Sequence, residues 1–226
     1  IKYTHSGVLS SSLAIDKEIS KKIFIKNKIL TPKFLKYSFK NLQNKKKILK
    51  KLKSKLGFPL IIKPLNEGSS VNVFICNEKN IIKNINKLQE YGEILFEKYI
   101  PGREIQVAIL SGNILGAIEL KPKRKFYDYE AKYNPKAKTE HIIPIKIPKK
   151  KYDEVLNIAL KAHKILNCRG VTRSDFRFYK NKFYLLETNT QPGMTSLSLV
   201  PEIAKFNNIT FKNLINKILS DASIYK

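Results

Sequence analysis

Four residues in the last third of the chain carry its strongest chemical signal: Arg173, Asp175, Glu187 and Asn189. They fall two apart within two runs rich in apolar and aromatic residues, Val171–Tyr179 and Lys182–Asn189. Side chains alternate across a strand, so Arg173 shares a face with Asp175, and Glu187 shares one with Asn189. A hairpin turning at Lys180-Asn181 brings one cation and three oxygen donors onto a small area. Asp, Glu and Asn oxygens without His or Cys suit a hard ion, Mg²⁺ above Zn²⁺ or Cu²⁺, completed by water and substrate phosphates. A solvated sheet face with one Arg–Asp pair is the competing reading. Phe176, Phe178, Leu185 and Leu186 weigh against it, because they place the hairpin in a core.

The turn that follows, Thr190-Gln191-Pro192-Gly193-Met194-Thr195-Ser196, runs towards a helix near Ser198. Its backbone N–H groups suit an anion or a developing oxyanion. A second constellation is Asn66-Glu67-Gly68-Ser69-Ser70, set between two predicted strands. Small residues let backbone amides approach a phosphate, and Ser69 and Ser70 add hydroxyl donors. Lys63, at the end of the preceding strand, reaches the same phosphates as a point charge. No Gly-Lys-Ser/Thr step opens a helix here, so this is not a Walker loop, and an ordinary hairpin turn is the alternative. The third piece is Glu97-Lys98-Tyr99-Ile100, just before Pro101-Gly102. Exposed backbone there can read an adenine edge while Glu104 reaches a ribose.

These pieces need elements to hold them. Asp16 caps a predicted helix Lys17–Lys26, along which Ile19 and Ile23 continue a fourth-residue spacing from Ile15. Residues 1–15 read as a tail with a small-residue run. A lysine-rich helix spans 41–56 and closes at Gly57; strands follow at 58–64 and 71–76, then a helix at 80–90 and a strand at 94–99. Beyond Pro101-Gly102, segments 104–110 and 113–120 flank Ser111-Gly112 as a hairpin. Residues 121–138 form a long loop, which compact domains rarely keep without purpose. A strand near 140–145, a helix over 149–166, the second hairpin and two closing helices complete the pattern. Mixed strands and helices with hairpins predict an α+β architecture in two lobes.

Composition narrows the class. With 226 residues, 42% of them hydrophobic and 27% charged, the chain is a globular protein, neither disordered nor disulfide-stapled. No apolar run reaches the length of a membrane span, and the opening residues are no signal peptide. Cys76 and Cys168 have no metal-type spacing and point to a reducing cytoplasm. Lys and Arg exceed Asp and Glu by 44 to 18, a net charge of +26. A polyanion partner is one reading. Lys, Ile and Asn crowd the whole chain without a focused patch or a nucleic-acid motif, so coding bias is preferred, and neither nucleic acid nor membrane is expected as a partner.

Taken together, the strings resemble one family: the D-alanine–D-alanine ligases of the ATP-grasp superfamily. The matching segments are Tyr3-Thr4…Ser6-Gly7-Val8-Leu9, Asp16-Lys17, Lys63-Pro64…Glu67-Gly68-Ser69-Ser70-Val71 and Pro101-Gly102-Arg103-Glu104. Phe126-Tyr127-Asp128-Tyr129-Glu130-Ala131-Lys132-Tyr133 and Glu187-Thr188-Asn189-Thr190-Gln191-Pro192-Gly193-Met194-Thr195 complete the series in family order. The resemblance implies an ATP-grasp fold, two lobes of mainly antiparallel sheet with packed helices. It places 1–15 as the tail of an N-terminal domain, 16–102 as the small lobe and 103–226 as the lobe with metal and D-alanine sites. ATP is the implied substrate, with two Mg²⁺ or Mn²⁺ ions, and the implied reaction forms D-alanyl-D-alanine through an acyl phosphate for peptidoglycan synthesis. Lys17, Lys63, Ser69 and Ser70 are implied at the phosphates or adenine, Glu97, Lys98, Tyr99, Ile100 and Phe126 around the base, and Glu104 on the ribose. Asp175, Glu187 and Asn189 are implied as metal ligands, Arg173 and the Gly193 amide as oxyanion stabilisers. Ser69, Lys132, Tyr133, Ser198 and Leu199 are implied around the two D-alanines, with 121–138 as a closing loop.

Some features depart from the family pattern. Asn72 stands where the family usually has glycine, and His5 replaces a common glycine. The family also carries an N-terminal lobe that this sequence does not contain, which predicts Mg-ATP binding with little dipeptide synthesis from residues 1–226. A non-ligating ATP-binding remnant and a ligase using D-lactate or D-serine are the alternatives; Lys132-Tyr133 favours D-alanine over D-lactate. Family members are commonly homodimers.

Overall fold

The computed structural model describes residues 1–41, 44–122 and 139–224. Its frame is two antiparallel sheets. The first has four strands, β1 (Phe34–Ser38), β2 (Leu60–Pro64), β3 (Phe74–Cys76) and β4 (Glu93–Lys98), in the order β1-β4-β2-β3. The second has five, β5 (Arg103–Leu110), β6 (Asn113–Lys121), β7 (Glu140–Ile142), β8 (Val171–Tyr179) and β9 (Lys182–Asn189), in the order β7-β6-β5-β8-β9. Among the described residues there are seven α-helices: α1 (Val8–Ile15), α2 (Lys17–Lys26), α3 (Lys45–Lys55), α4 (Ile81–Lys87), α5 (Lys149–Ile165), α6 (Leu199–Phe206) and α7 (Phe211–Ser220). The predicted α+β class and the two mainly antiparallel sheets are what the chain forms.

Each sheet owes its place to apolar periodicity. In α3, Ile48 and Leu52 lie one turn apart and, with Leu56 beyond its end, seal the first sheet against Leu60, Ile62 and Phe96. The lysines of α3 take the other faces. The second sheet is covered on both sides. Ile105, Val107 and Ile109 of β5 point into a core with Val155, Ala159 and Ala162 of α5. Ala108 and Leu110, on the opposite face, meet Val200 and Ile203 of α6 and Leu214 of α7. These last helices cover only part of their face. The uncovered part carries the polar residues described below.

Two elements escape the sequence reading. Residues 8–15, expected as a tail, form α1, because Ser10 and Ala14 are small enough to bury their side of the helix. The hydroxyl of Ser10 donates to Asn167 O at 2.6 Å, and that of Ser6 to Arg169 O at 3.1 Å. The serine run, a loop signal in isolation, is a docking surface in context. The strand β1 was not anticipated either; it exists by pairing with β4. Smaller differences are β3, which begins only at Phe74, and α4, which ends at Lys87 before a short 3-10 turn. Helix α2 sits with the five-stranded sheet, where Phe24 is fully buried in the α5 core, although its sequence position groups it with residues 16–102.

Candidate functional site

Local chemistry fixes the pieces before packing joins them. Asp16 accepts hydrogen bonds from the Glu18 and Ile19 amides, both at 2.9 Å, and so starts α2 where Lys17 begins it. The Lys17 ammonium then reaches across to the glycine-serine loop, donating to Leu65 O at 3.3 Å and also to Glu67 O. The left-handed pair Lys180 and Asn181 turns the hairpin, with φ of 47° and 61°. That turn sets the register: Asp175 faces Glu187, and Arg173 faces Asn189. A bulge after Asp175 inserts Leu186, so that Leu186 and Glu187 both line the same cleft.

That cleft lies between the two sheets. Lys17, Lys63, Ser70 and the strand end Glu97, Lys98, Tyr99 and Ile100 line it from one side. Glu104, Asp175 and Glu187 line it from the other. A second cleft gathers Ser69, Arg173, Asn189, Gly193, Ser198 and Leu199. Between them lies a recess bounded by Lys17, Glu67, Glu187 and Asn189. The sequence-predicted residues thus converge on one continuous groove. Phe126, Lys132 and Tyr133 lie outside the described residues.

The electrostatics are concentrated on Glu97. Its carboxylate lies 2.7 Å from Lys21 Nζ on one oxygen and 2.9 Å from Lys63 Nζ on the other, with all three groups almost wholly buried. Burial works against this carboxylate, but the two ammonium groups overcome it and hold it down to about 2. Burial also opposes the charge of Lys63, yet Glu97 and Glu187 outweigh it and raise its pKa. Burial lowers Lys17 despite Glu187. Nearby, Glu104 pairs with Arg177 at 3.0 Å, and Arg173 grips both oxygens of Asp175, at 2.8 and 2.9 Å.

The donor set suits one kind of ion. Among the described residues, no group of three His, Cys, Asp or Glu side chains is placed to hold a metal by itself. Two carboxylates and one amide stand together instead, and Asn189 Nδ2 is buried without a partner among the described residues. An ion held there would need its remaining ligands from water and substrate, a demand that suits Mg²⁺.

Gly193 faces Ser198 so closely that an added Cβ would come 2.8 Å from its Oγ. That oxygen accepts the Thr195 amide at 2.9 Å, which holds the turn over the start of α6. Two residues of the groove region were not singled out from sequence. Gln106 is fully buried, lines the second cleft beside Arg173, and has neither amide atom paired among the described residues. Its register opposite Asp175 makes it visible only after strand pairing. Lys21 was legible in principle, one helical turn after Lys17 on the same face.

Comparison with known proteins gives consistent matches. The family described as "D-ala D-ala ligase C-terminus" matches residues 24–220. The D-alanine–D-alanine ligase of Pelagibacter ubique is 62% identical over 224 residues, covering 99% of this chain and 73% of the relative. The crystal structure of a D-alanine–D-alanine ligase from Bacillus anthracis superposes with a TM-score of 0.85 at 34% identity, covering 98% of this chain and 71% of that one. The same ligase complexed with ATP gives 0.82 at 33% identity, with 98% and 70% covered.

Proposed function

This chain belongs to the D-alanine–D-alanine ligase family, and from that premise we propose how its two clefts divide the work. It is an ATP-dependent ligase that joins two D-alanines into D-alanyl-D-alanine for peptidoglycan precursors. The first cleft takes ATP. Lys17, Lys63, Ser69 and Ser70 meet its phosphates, the strand end 97–100 its adenine, and Glu104 its ribose. Asp175, Glu187 and Asn189 hold Mg²⁺ or Mn²⁺, which when bound neutralises charge on the phosphates.

A carboxylate is a poor acyl donor because its oxygen leaves badly. One carboxylate oxygen of the first D-alanine attacks the γ-phosphorus, ADP departs and an acyl phosphate forms. The amine of the second D-alanine attacks the acyl carbon, whose oxygen becomes negative. Collapse of that intermediate expels phosphate, and the nitrogen loses a proton. Arg173 and the Gly193 N–H meet the negative oxygen. Ser69, Ser198 and Leu199, with Lys132 and Tyr133, hold the amino acids. Excluding water matters because it would hydrolyse the acyl phosphate. A cytoplasmic location fits the free Cys76 and Cys168, and a homodimer fits family analogy.

The observation that carries these assignments is the row in which Asp175 opposes Glu187 and Arg173 opposes Asn189, standing where the two clefts meet. Glu187→Gln removes one ligand charge at nearly constant volume. It is expected to abolish Mg-dependent ATP binding without lowering the unfolding temperature. An unchanged calorimetric titration with Mg-ATP sinks the ligand assignment.

A further inference from the structure

Lys21 is a fully buried charge that the mechanism above leaves unused. Its side chain has no exposure and does not line the cleft. Its ammonium donates to Thr31 Oγ1 at 2.7 Å, lies 2.7 Å from Glu97 Oε1 and stands 5.9 Å from the centre of the Phe34 ring. Burying an ammonium is costly, and an apolar residue would fill the same space at lower cost. The charge therefore has another use.

Its position behind Glu97 suggests one. The other oxygen of Glu97 holds Lys63 Nζ at 2.9 Å, and Lys63 lines the cleft. Lys63 and Glu97 alone would form a neutral pair, with no net attraction for phosphate. Lys21 makes the trio two cations and one anion, and only Lys63 of the two cations faces the cleft. We propose that Lys21 is a positioning residue for the nucleotide. It neutralises Glu97 from behind, leaving the charge of Lys63 uncancelled towards the phosphates of ATP, while Glu97 fixes where that charge sits. The proposal rests on the reading that the first cleft takes ATP.

Protonation gives the idea a second handle. Burial lowers Lys21 to about 8, against the pull of Glu97 on β4 and Glu187 on β9 and with the push of Lys63 on β2. As pH rises through that value Lys21 loses its charge and Glu97 is answered by Lys63 alone. Affinity for the polyphosphate should then fall, while affinity for uncharged adenosine should not.

The test is calorimetry on the 226-residue protein with Mg-ATP and with adenosine, at about pH 7 and about pH 9.5, either side of the Lys21 transition. In Lys21→Met, Mg-ATP affinity is expected to drop about tenfold at the lower pH, the size of one modest charge contact, with adenosine binding unchanged. Wild type should lose Mg-ATP affinity at the higher pH. Lys21→Arg, which keeps its proton throughout, should lose much less, and this separates Lys21 from Lys17. Parallel losses for ATP and adenosine in a folded Lys21→Met overturn the proposal. So does a wild-type ATP affinity that ignores pH, whichever variants fold. A wild type that binds no Mg-ATP at all refutes the ATP cleft itself, a different failure.

Discussion

At the scale of single residues, Glu97 shows how far packing changes a side chain's role. By position it belongs to the strand end proposed to read adenine, and a strand end offers backbone for that purpose. Its carboxylate is occupied elsewhere, between Lys21 and Lys63. The consequence for stability has a definite sign. With the folded value near 2 and the ordinary value 4.5, the ionised form is favoured by folding. Its contribution is complete above about pH 4.5 and is lost as pH falls towards 2, roughly 3 kcal/mol in all. Denaturant titrations of wild type should show this loss across that window, and Glu97→Gln should flatten it. A variant that keeps the same acid limb would mean another carboxylate is responsible. Breaking the trio should also cost stability at neutral pH, by roughly 3–5 kcal/mol, because two buried ammonium groups lose their anion.

At the scale of elements, the glycine-serine loop departs most from ordinary backbone. Ser69, Ser70 and Asn72 all take left-handed conformations, with φ of 51°, 59° and 54°. Asn tolerates this region better than other non-glycine residues. Asn72 also donates from Nδ2 to the Tyr91 hydroxyl at 2.6 Å, tying the loop to the segment before β4. Both features suit asparagine at this position, where the resemblance led to an expectation of glycine. Asn72→Ala loses both the tolerance and the bond and should destabilise by about 1–2 kcal/mol. Asn72→Gly loses only the bond, so its cost should be the smaller of the two. Equal urea midpoints for the two variants would show that backbone conformation is not the determinant.

At the scale of the whole molecule, the net charge of +26 works against compactness. Exposed pairs such as Lys53–Glu78 and Lys149–Asp153 offset little of it, since solvent screens them. Screening by salt should therefore help. Raising NaCl from about 0.02 M to about 0.3 M shortens the Debye length from about 20 Å to under 6 Å. The thermal midpoint should rise by a few degrees, in contrast to a protein of balanced charge. A midpoint that falls would mean attractive pairs dominate. The ends of the chain are also tied together: Tyr3 pairs with Ser223, and the Arg169 guanidinium donates to the carbonyls of Tyr3, His5 and Ser223.

Much of this was legible in order along the chain. Strand alternation put Arg173 with Asp175 and Glu187 with Asn189, and the turn at Lys180-Asn181 set their register, because a hairpin is a local structure whose pairing follows from its own residues. The Asp16 cap was equally local, but the expected Ile15–Ile19–Ile23 row is not the buried face of α2: Ile15 and Ile19 are exposed, and the helix buries Lys17, Ser20, Lys21 and Phe24 instead. What sequence left open depends on contacts far apart in the chain. The serine run docks as part of α1 because Asn167 O accepts the Ser10 hydroxyl, while Arg169 O accepts that of Ser6 just before the helix, and β1 became a strand only because β4 offers an edge. Gln106 entered the groove through its register with Asp175, across some seventy residues. The Lys21–Glu97–Lys63 trio joins a helix to two strands of another sheet. Periodicity marks the buried face where the core is apolar, as with Ile48 and Leu52 of α3; only the packed fold decides where charges such as Lys21 are buried and which of them meet.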